Sequence, residues 1–159
     1  MSSTFHSQFA AEMCINGVLV GNSCGTNPEA APWLALDFGA LGLWDFESIV
    51  IHNSNNFGDK LRNVEVRVAH QLPDSGDDMF SGGQLLGTFT GPGENGEVVS
   101  LTSSTGLRGR FVIIQMDFSS GDDYFELNEV TVWGQRQGIQ NTSFCCPQTQ
   151  LFTFFRPAN

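Results

Sequence analysis

The stretch His52-Asn53-Ser54-Asn55-Asn56-Phe57-Gly58-Asp59-Lys60-Leu61-Arg62 gathers groups that can hold a polar ligand. One aromatic, Phe57, stands among the amides of Asn53, Asn55 and Asn56, the carboxylate of Asp59, and the cations of Lys60 and Arg62. A ring so placed can cover the apolar face of a pyranose. The amides and charges can then pair with hydroxyls that would cost free energy if buried unpaired. Two other readings fit the same residues. One is a polar hairpin with Phe57 turned inward, and the other is an apolar tip offered to a lipid or a protein.

Catalysis has no comparable signature, and the chain is not expected to be an enzyme. His6, His52 and His70 accompany no recognisable Ser or Cys nucleophile, and no G-x-S-x-G occurs. His52 is expected on a sheet surface and His70 at a strand end. Asp77-Asp78 and Asp122-Asp123 read as solvated loop tips, with calcium between domains as their other reading.

The elements that must position the loop are strands. Helical periodicity is nearly absent. Residues 33–39, 46–52, 62–70, 84–90, 96–102, 109–117 and 126–134 each read as a strand. Val64, Val66 and Val68 alternate with Glu65 and Arg67, so one face is apolar and the other polar. Gly91-Pro92-Gly93-Glu94-Asn95-Gly96 is a turn signal, and Ser75-Gly76-Asp77-Asp78 and Ser119-Ser120-Gly121-Asp122-Asp123 read as loops. Short strands at these spacings predict an all-β, antiparallel β-sandwich. The domain is expected to end near Gly134. Residues 135–159 then form an irregular tail whose Phe144, Leu151, Phe152, Phe154 and Phe155 need a surface to cover, on this domain or on a neighbouring subunit.

Composition narrows the partners. The chain has 159 residues, enough for one core, with fourteen Phe and three Trp to fill it. Acids outnumber bases 17 to 7, a net charge of −10. That balance argues against nucleic acid, which needs clustered Lys and Arg. It also argues against simple docking on anionic membranes. No stretch is long enough to span a membrane, and no signal peptide is visible from Met1 to Gly17.

Cysteine use points to disulfides. Cys14, Cys24, Cys145 and Cys146 are even in number and contain no C-x-x-C. Adjacent cysteines rarely bond to each other. The preferred reading therefore joins Cys14 and Cys24 to Cys145 and Cys146. The alternative is Cys14 with Cys24, leaving the tail pair for another chain. Asn141-Thr142-Ser143 is a glycosylation sequon at Asn141.

The order and spacing of several short segments resemble the F-type lectins, within the discoidin or coagulation-factor type C family. These are Ser2-Ser3-Thr4, Cys14-Ile15-Asn16-Gly17, Ser23-Cys24-Gly25-Thr26, Pro32-Trp33 and Asp37-Phe38-Gly39. Ile51-His52-Asn53, Leu107-Arg108-Gly109-Arg110-Phe111-Val112 and Asn128-Glu129-Val130-Thr131-Val132-Trp133-Gly134 complete the match. The resemblance implies a discoidin-like jelly roll of about eight strands over residues 1–134. It also implies that a first strand precedes Met1, so that the chain is part of a longer secreted polypeptide. A true start at Met1 is the other reading.

The resemblance further implies a calcium site that would use Asn16, Ser23, Asn128 and Glu129. Asn16 stands where the family has Asp, and Val18 where it has Asn, so the site is weakened or lost as readily as kept. Without metal, the Glu129 carboxylate would accept loop amides of residues 16–24. The family's fucose site needs a His and two Arg around a vicinal Cys-Cys. Here Ser54 and Lys60 stand at the Arg positions, Asn56-Phe57-Gly58 replaces the Cys-Cys stretch, and no His lies between Asn22 and Ala31. The implied function is an extracellular carbohydrate-binding or adhesion module without the fucose constellation. The alternatives are a structural or assembly domain acting through its tail, and an accessory domain tethering an enzyme to polysaccharide.

Overall fold

The computed structural model describes residues 1–39, 43–73, 79–117 and 123–136. Asn141, Cys145, Cys146, the tail aromatics, Asp77-Asp78 and Asp122 lie outside the described residues. Among the described residues eight strands form in chain order: β1 (Cys24–Gly25), β2 (Trp33–Asp37), β3 (Trp44–Asn53), β4 (Val64–Ala69), β5 (Gln84–Phe89), β6 (Val98–Gly109), β7 (Phe111–Met116) and β8 (Glu126–Arg136). They build two four-stranded sheets, ordered β1-β8-β3-β6 and β2-β7-β4-β5. Every pairing is antiparallel. The sandwich expected from the alternation is therefore present.

All seven expected strands appear, and two features exceed the sequence reading. Strand β1 is a two-residue pairing of Cys24 and Gly25 with Leu127 and Glu126, too short to show a period of two. Strand β6 continues to Gly109 because Leu107, Arg108 and Gly109 pair with Phe46, Asp45 and Trp44, beyond a shift of register at Phe46/Ser48. Its Ser103-Ser104-Thr105-Gly106 run carries no apolar alternation, so nothing in the sequence marks it.

The core lies between the sheets. Phe46, Ile49, Ile51 and Leu127 of one sheet meet Leu34, Val64, Val66, Val112 and Ile114 of the other. Strand β7 is buried along its whole length. Its Val112, Ile114 and Met116 enter this core, while Phe111 and Ile113 join Trp33, Ala69 and Met79 in a second, smaller cluster. A strand covered on both faces reads as a continuous apolar run, as Phe111-Val112-Ile113-Ile114 does.

The preferred disulfide pairing, Cys14 and Cys24 with Cys145 and Cys146, is corrected, and the alternative pairing is the one observed. Cys14 bonds to Cys24, with Cα atoms 5.1 Å apart and both residues fully buried. The cause is local packing. A 3₁₀ turn at Ala11–Ile15 lies against β1 and β8, which brings Cys14 beside Cys24 at a Cα separation within the range that disulfides span.

Candidate functional site

Strand β3 ends at Asn53 on the loop end of the sandwich, and the chain then turns through Ser54–Leu61. Asn53 is fully buried and builds this turn from inside. Its amide donates to the carbonyls of Gly58 and Glu94, both at 2.8 Å, and its carbonyl accepts the Ser54 N–H at 2.8 Å. Ser54 is also buried; its hydroxyl donates to Glu126 at 2.8 Å and accepts the N–H of Asn56 and Phe57. Gly58 closes the turn where a Cβ would strike the Glu94 backbone. Its N–H donates to Asn95 at 2.8 Å. The Gly91–Gly96 segment, expected as a turn, thus supports the candidate loop from behind.

Asn53 therefore stands apart from the expected contact residues. It is enclosed, and its hydrogen-bonding capacity goes to backbone. Asn55, Asn56, Phe57 and Asp59 are exposed, while Lys60 and Arg62 are half-buried. The inward reading of Phe57 is corrected, since the ring is 44% exposed. It stands edge-on to Tyr124, with ring centroids 5.8 Å apart at 83°. This geometry suits the quadrupoles of two aromatic rings and leaves an aromatic corner at the surface.

Two residues of this corner were not legible in the sequence. Asp123 is not a solvated tip. It takes Arg62 at 2.7 Å and Lys60 at 3.2 Å, and its backbone exchanges hydrogen bonds with Glu29 at 2.9 and 3.1 Å. Burial disfavours its ionised form. Hydrogen bonds from the Tyr124 amide, Arg62 and Lys60 outweigh that penalty and hold the carboxyl below its usual range. Tyr124 carries the Lys60 ammonium 5.2 Å from its ring centroid, within cation–π reach. Burial pushes the Tyr124 phenol above its usual range, against the pull of Lys60, so it is a hydroxyl donor at neutral pH. The arrangement is one carboxylate holding two cations beside two rings, with amides at the rim.

The second candidate region is the loop around Asn16. Glu129 is buried, and its carboxylate accepts the Gly17 N–H at 2.8 Å. Burial raises its pKa, while amide hydrogen bonds from Gly17, Val130, Val18 and Asn16 pull it back. Asn16 turns its side-chain oxygen to the Val18 N–H at 2.8 Å, and the Asn128 amide donates to the Leu19 carbonyl at 3.2 Å. Ser23 is half-buried nearby in sequence to Cys24. A calcium ion needs oxygens turned to a common centre. Here the Glu129 and Asn16 oxygens face N–H donors, an arrangement that does not fit the ion. Among the described residues no group of three or more His, Cys, Asp or Glu could hold a metal.

No family model matches the chain, and no curated protein does. Solved structures do. An F-lectin (fucolectin) from striped bass (Morone saxatilis) serum superimposes on 84% of this chain with a TM-score of 0.71 at 22% identity. That match spans 45% of the fucolectin chain, so the likeness covers less than half of that protein. The lectin domain of lectinolysin complexed with Lewis B antigen gives a TM-score of 0.63 at 18% identity, over 83% of this chain and 88% of that one. The family 32 CBM of C. perfringens NanJ, in complex with galactose, gives 0.60 at 18%, over 81% and 88%. These likenesses establish the fold: a galactose-binding-like sandwich of discoidin type.

Proposed function

We propose that the chain is a non-enzymatic, extracellular carbohydrate-binding module acting through the Phe57–Tyr124 corner. The observation that supports this most is the corner itself. Two rings at right angles stand at the loop end of a fold shared with fucolectin and with a galactose-complexed module. A pyranose has one face of C–H bonds and an edge of hydroxyls. Phe57 suits the face, while Lys60, Arg62, Asn55 and Asn56 suit the edge. Asp123 fixes both cations before a ligand arrives, which lowers the ordering cost of binding. Lys60 and Arg62 are balanced by Asp59 and Asp123, so the corner favours a neutral sugar over an anionic one.

Fucose specificity is not part of this reading. Ser54, at one family Arg position, is buried and occupied with Glu126 and the turn amides. Binding is also proposed to be independent of calcium, since Glu129 is already met by amides. A glycan array run with and without calcium tests both points. Phe57→Ala should weaken binding roughly tenfold, the loss of one stacking contact. Unchanged affinity in that variant would sink the loop as the site. The second reading, assembly through the tail, rests on the apolar sequence of residues 144–155. Self-association by sedimentation together with an empty array would favour it.

A further inference from the structure

The opposite end of the β1-β8-β3-β6 sheet carries a groove of about 700 Å³ that the loop end does not explain. Its floor is one row across three strands, Gln135 on β8, Asp45 on β3 and Arg108 on β6, paired in register. Arg108 grips Asp45 through two nitrogens, at 2.8 and 3.3 Å, and Gln135 donates to Glu47 at 3.2 Å. The Ser103–Gly106 segment of β6 supplies hydroxyls along the wall. One step along β8, on the same face as Gln135, stands Trp133, opposite Ser48 and 42% exposed. The other two tryptophans, Trp33 and Trp44, are each 7% exposed.

We infer that this groove and Trp133 form a second carbohydrate-binding surface, for a neutral oligosaccharide. The indole offers a flat apolar plane, and the strand period of two sets it beside a row of hydrogen-bonding side chains. The groove holds two carboxylates and one guanidinium, which disfavours anionic chains. Its donors and acceptors are pinned to one another in pairs, so they present fixed edges to hydroxyls at little ordering cost. The volume lies within the range of small-ligand sites. Two surfaces at opposite ends of one sandwich would let a single module engage two points of a glycan, or two glycans. This goes beyond the loop-end reading and does not rest on it.

The exposure pattern supplies its own probe. In the full chain, acrylamide quenching of tryptophan fluorescence reads Trp133 above its two buried counterparts. Cellohexaose, N-acetylchitohexaose and a β-1,4-galactose hexamer serve as ligands, with an oligogalacturonate as the anionic control. One neutral hexamer should protect Trp133 from quenching, the anionic chain should not, and Phe57→Ala should leave the protection intact. Gln135→Ala, which retains the indole, should weaken that protection roughly tenfold. The inference is overturned if none of the neutral hexamers protects. It is also overturned if Trp133 is already shielded in the free chain, or if Phe57→Ala removes the protection and so traces it to the loop end.

Discussion

Two loops at one end of the sandwich are each organised by a buried polar pair, Asn53 with Ser54 and Glu129 with Asn128, and the leading members, Asn53 and Glu129, differ in charge. Asn53 builds the turn that carries Phe57 mainly by donating to carbonyls. Glu129 organises the turn at Asn16–Val18 by accepting amides. The neutral amide meets both donor and acceptor needs at no charge cost, so its loop closes tightly and sends Asn55, Asn56, Phe57 and Asp59 outward. The carboxylate bears a burial penalty, visible in its raised pKa, and its loop exposes Val18, Leu19 and Val20 instead. A buried polar pair under each loop thus accompanies a polar, aromatic surface in one case and an aliphatic one in the other.

The comparison breaks most sharply at Asn53. Asn53→Ala removes one donor from each of the Gly58 and Glu94 carbonyls, which keep the Leu61 and Glu97 amides, and leaves the buried Ser54 amide without its acceptor. Stability should fall by about 2–4 kcal/mol. Sugar binding should fall with it, because the Phe57 turn loses its scaffold. Urea denaturation gives the first quantity and titration of the native variant the second. A loss below 1 kcal/mol, on the order of an ordinary surface change, would mean that the turn does not depend on Asn53.

Glu129→Ala sharpens the other side. The Gly17 amide loses its acceptor, and stability should drop by about 1–3 kcal/mol. A chelator should leave the thermal midpoint of the parent chain unchanged, since amides rather than a cation surround the carboxylate. A midpoint that falls on chelation and recovers with calcium would show that the loop rearranges around metal, and would reverse the comparison.

Much of the fold was legible because it repeats locally. Val64, Val66 and Val68 announce β4, and the unbroken Phe111–Ile114 run announces a strand covered on both faces. The ring and amides of the Phe57 turn were legible for the same reason, being contiguous. What escaped was non-local. Asp123 and Tyr124 complete the corner from the far side of the sequence, and a Ser-Gly-Asp-Asp stretch reads as solvated wherever it occurs. Asn53 was legible as a polar residue but not as a buried one, because the loop that encloses it, Gly91–Gly96, comes from another part of the chain. The Cys14–Cys24 bond stood only as the alternative pairing, because counting cysteines says nothing of the 3₁₀ turn that brings them together. Glu129 was legible as an amide acceptor, yet its chemistry alone left the metal reading open beside it.

The smallest expected effect concerns the ion triad. Asp123→Asn removes the charge that holds Lys60 and Arg62 while keeping a similar shape. These are partly exposed pairs, so the change in stability should stay within about 1 kcal/mol. Binding should respond more than stability, because two freed cations would meet the ligand unorganised and would newly attract anionic sugars. The pH dependence follows from the sign of the shift. Asp123 has a folded pKa below its unfolded value, so its contribution is complete above the unfolded carboxylate range. The contribution shrinks as pH falls through that range and is gone below the folded pKa. Neutral-sugar affinity should therefore be flat from neutral pH down to the ordinary carboxylate range and weaken only in stronger acid. In Asp123→Asn that acid-side loss should be absent from an affinity already reduced. If the parent chain instead loses affinity near pH 6, roughly the histidine range, a group other than Asp123 governs the corner.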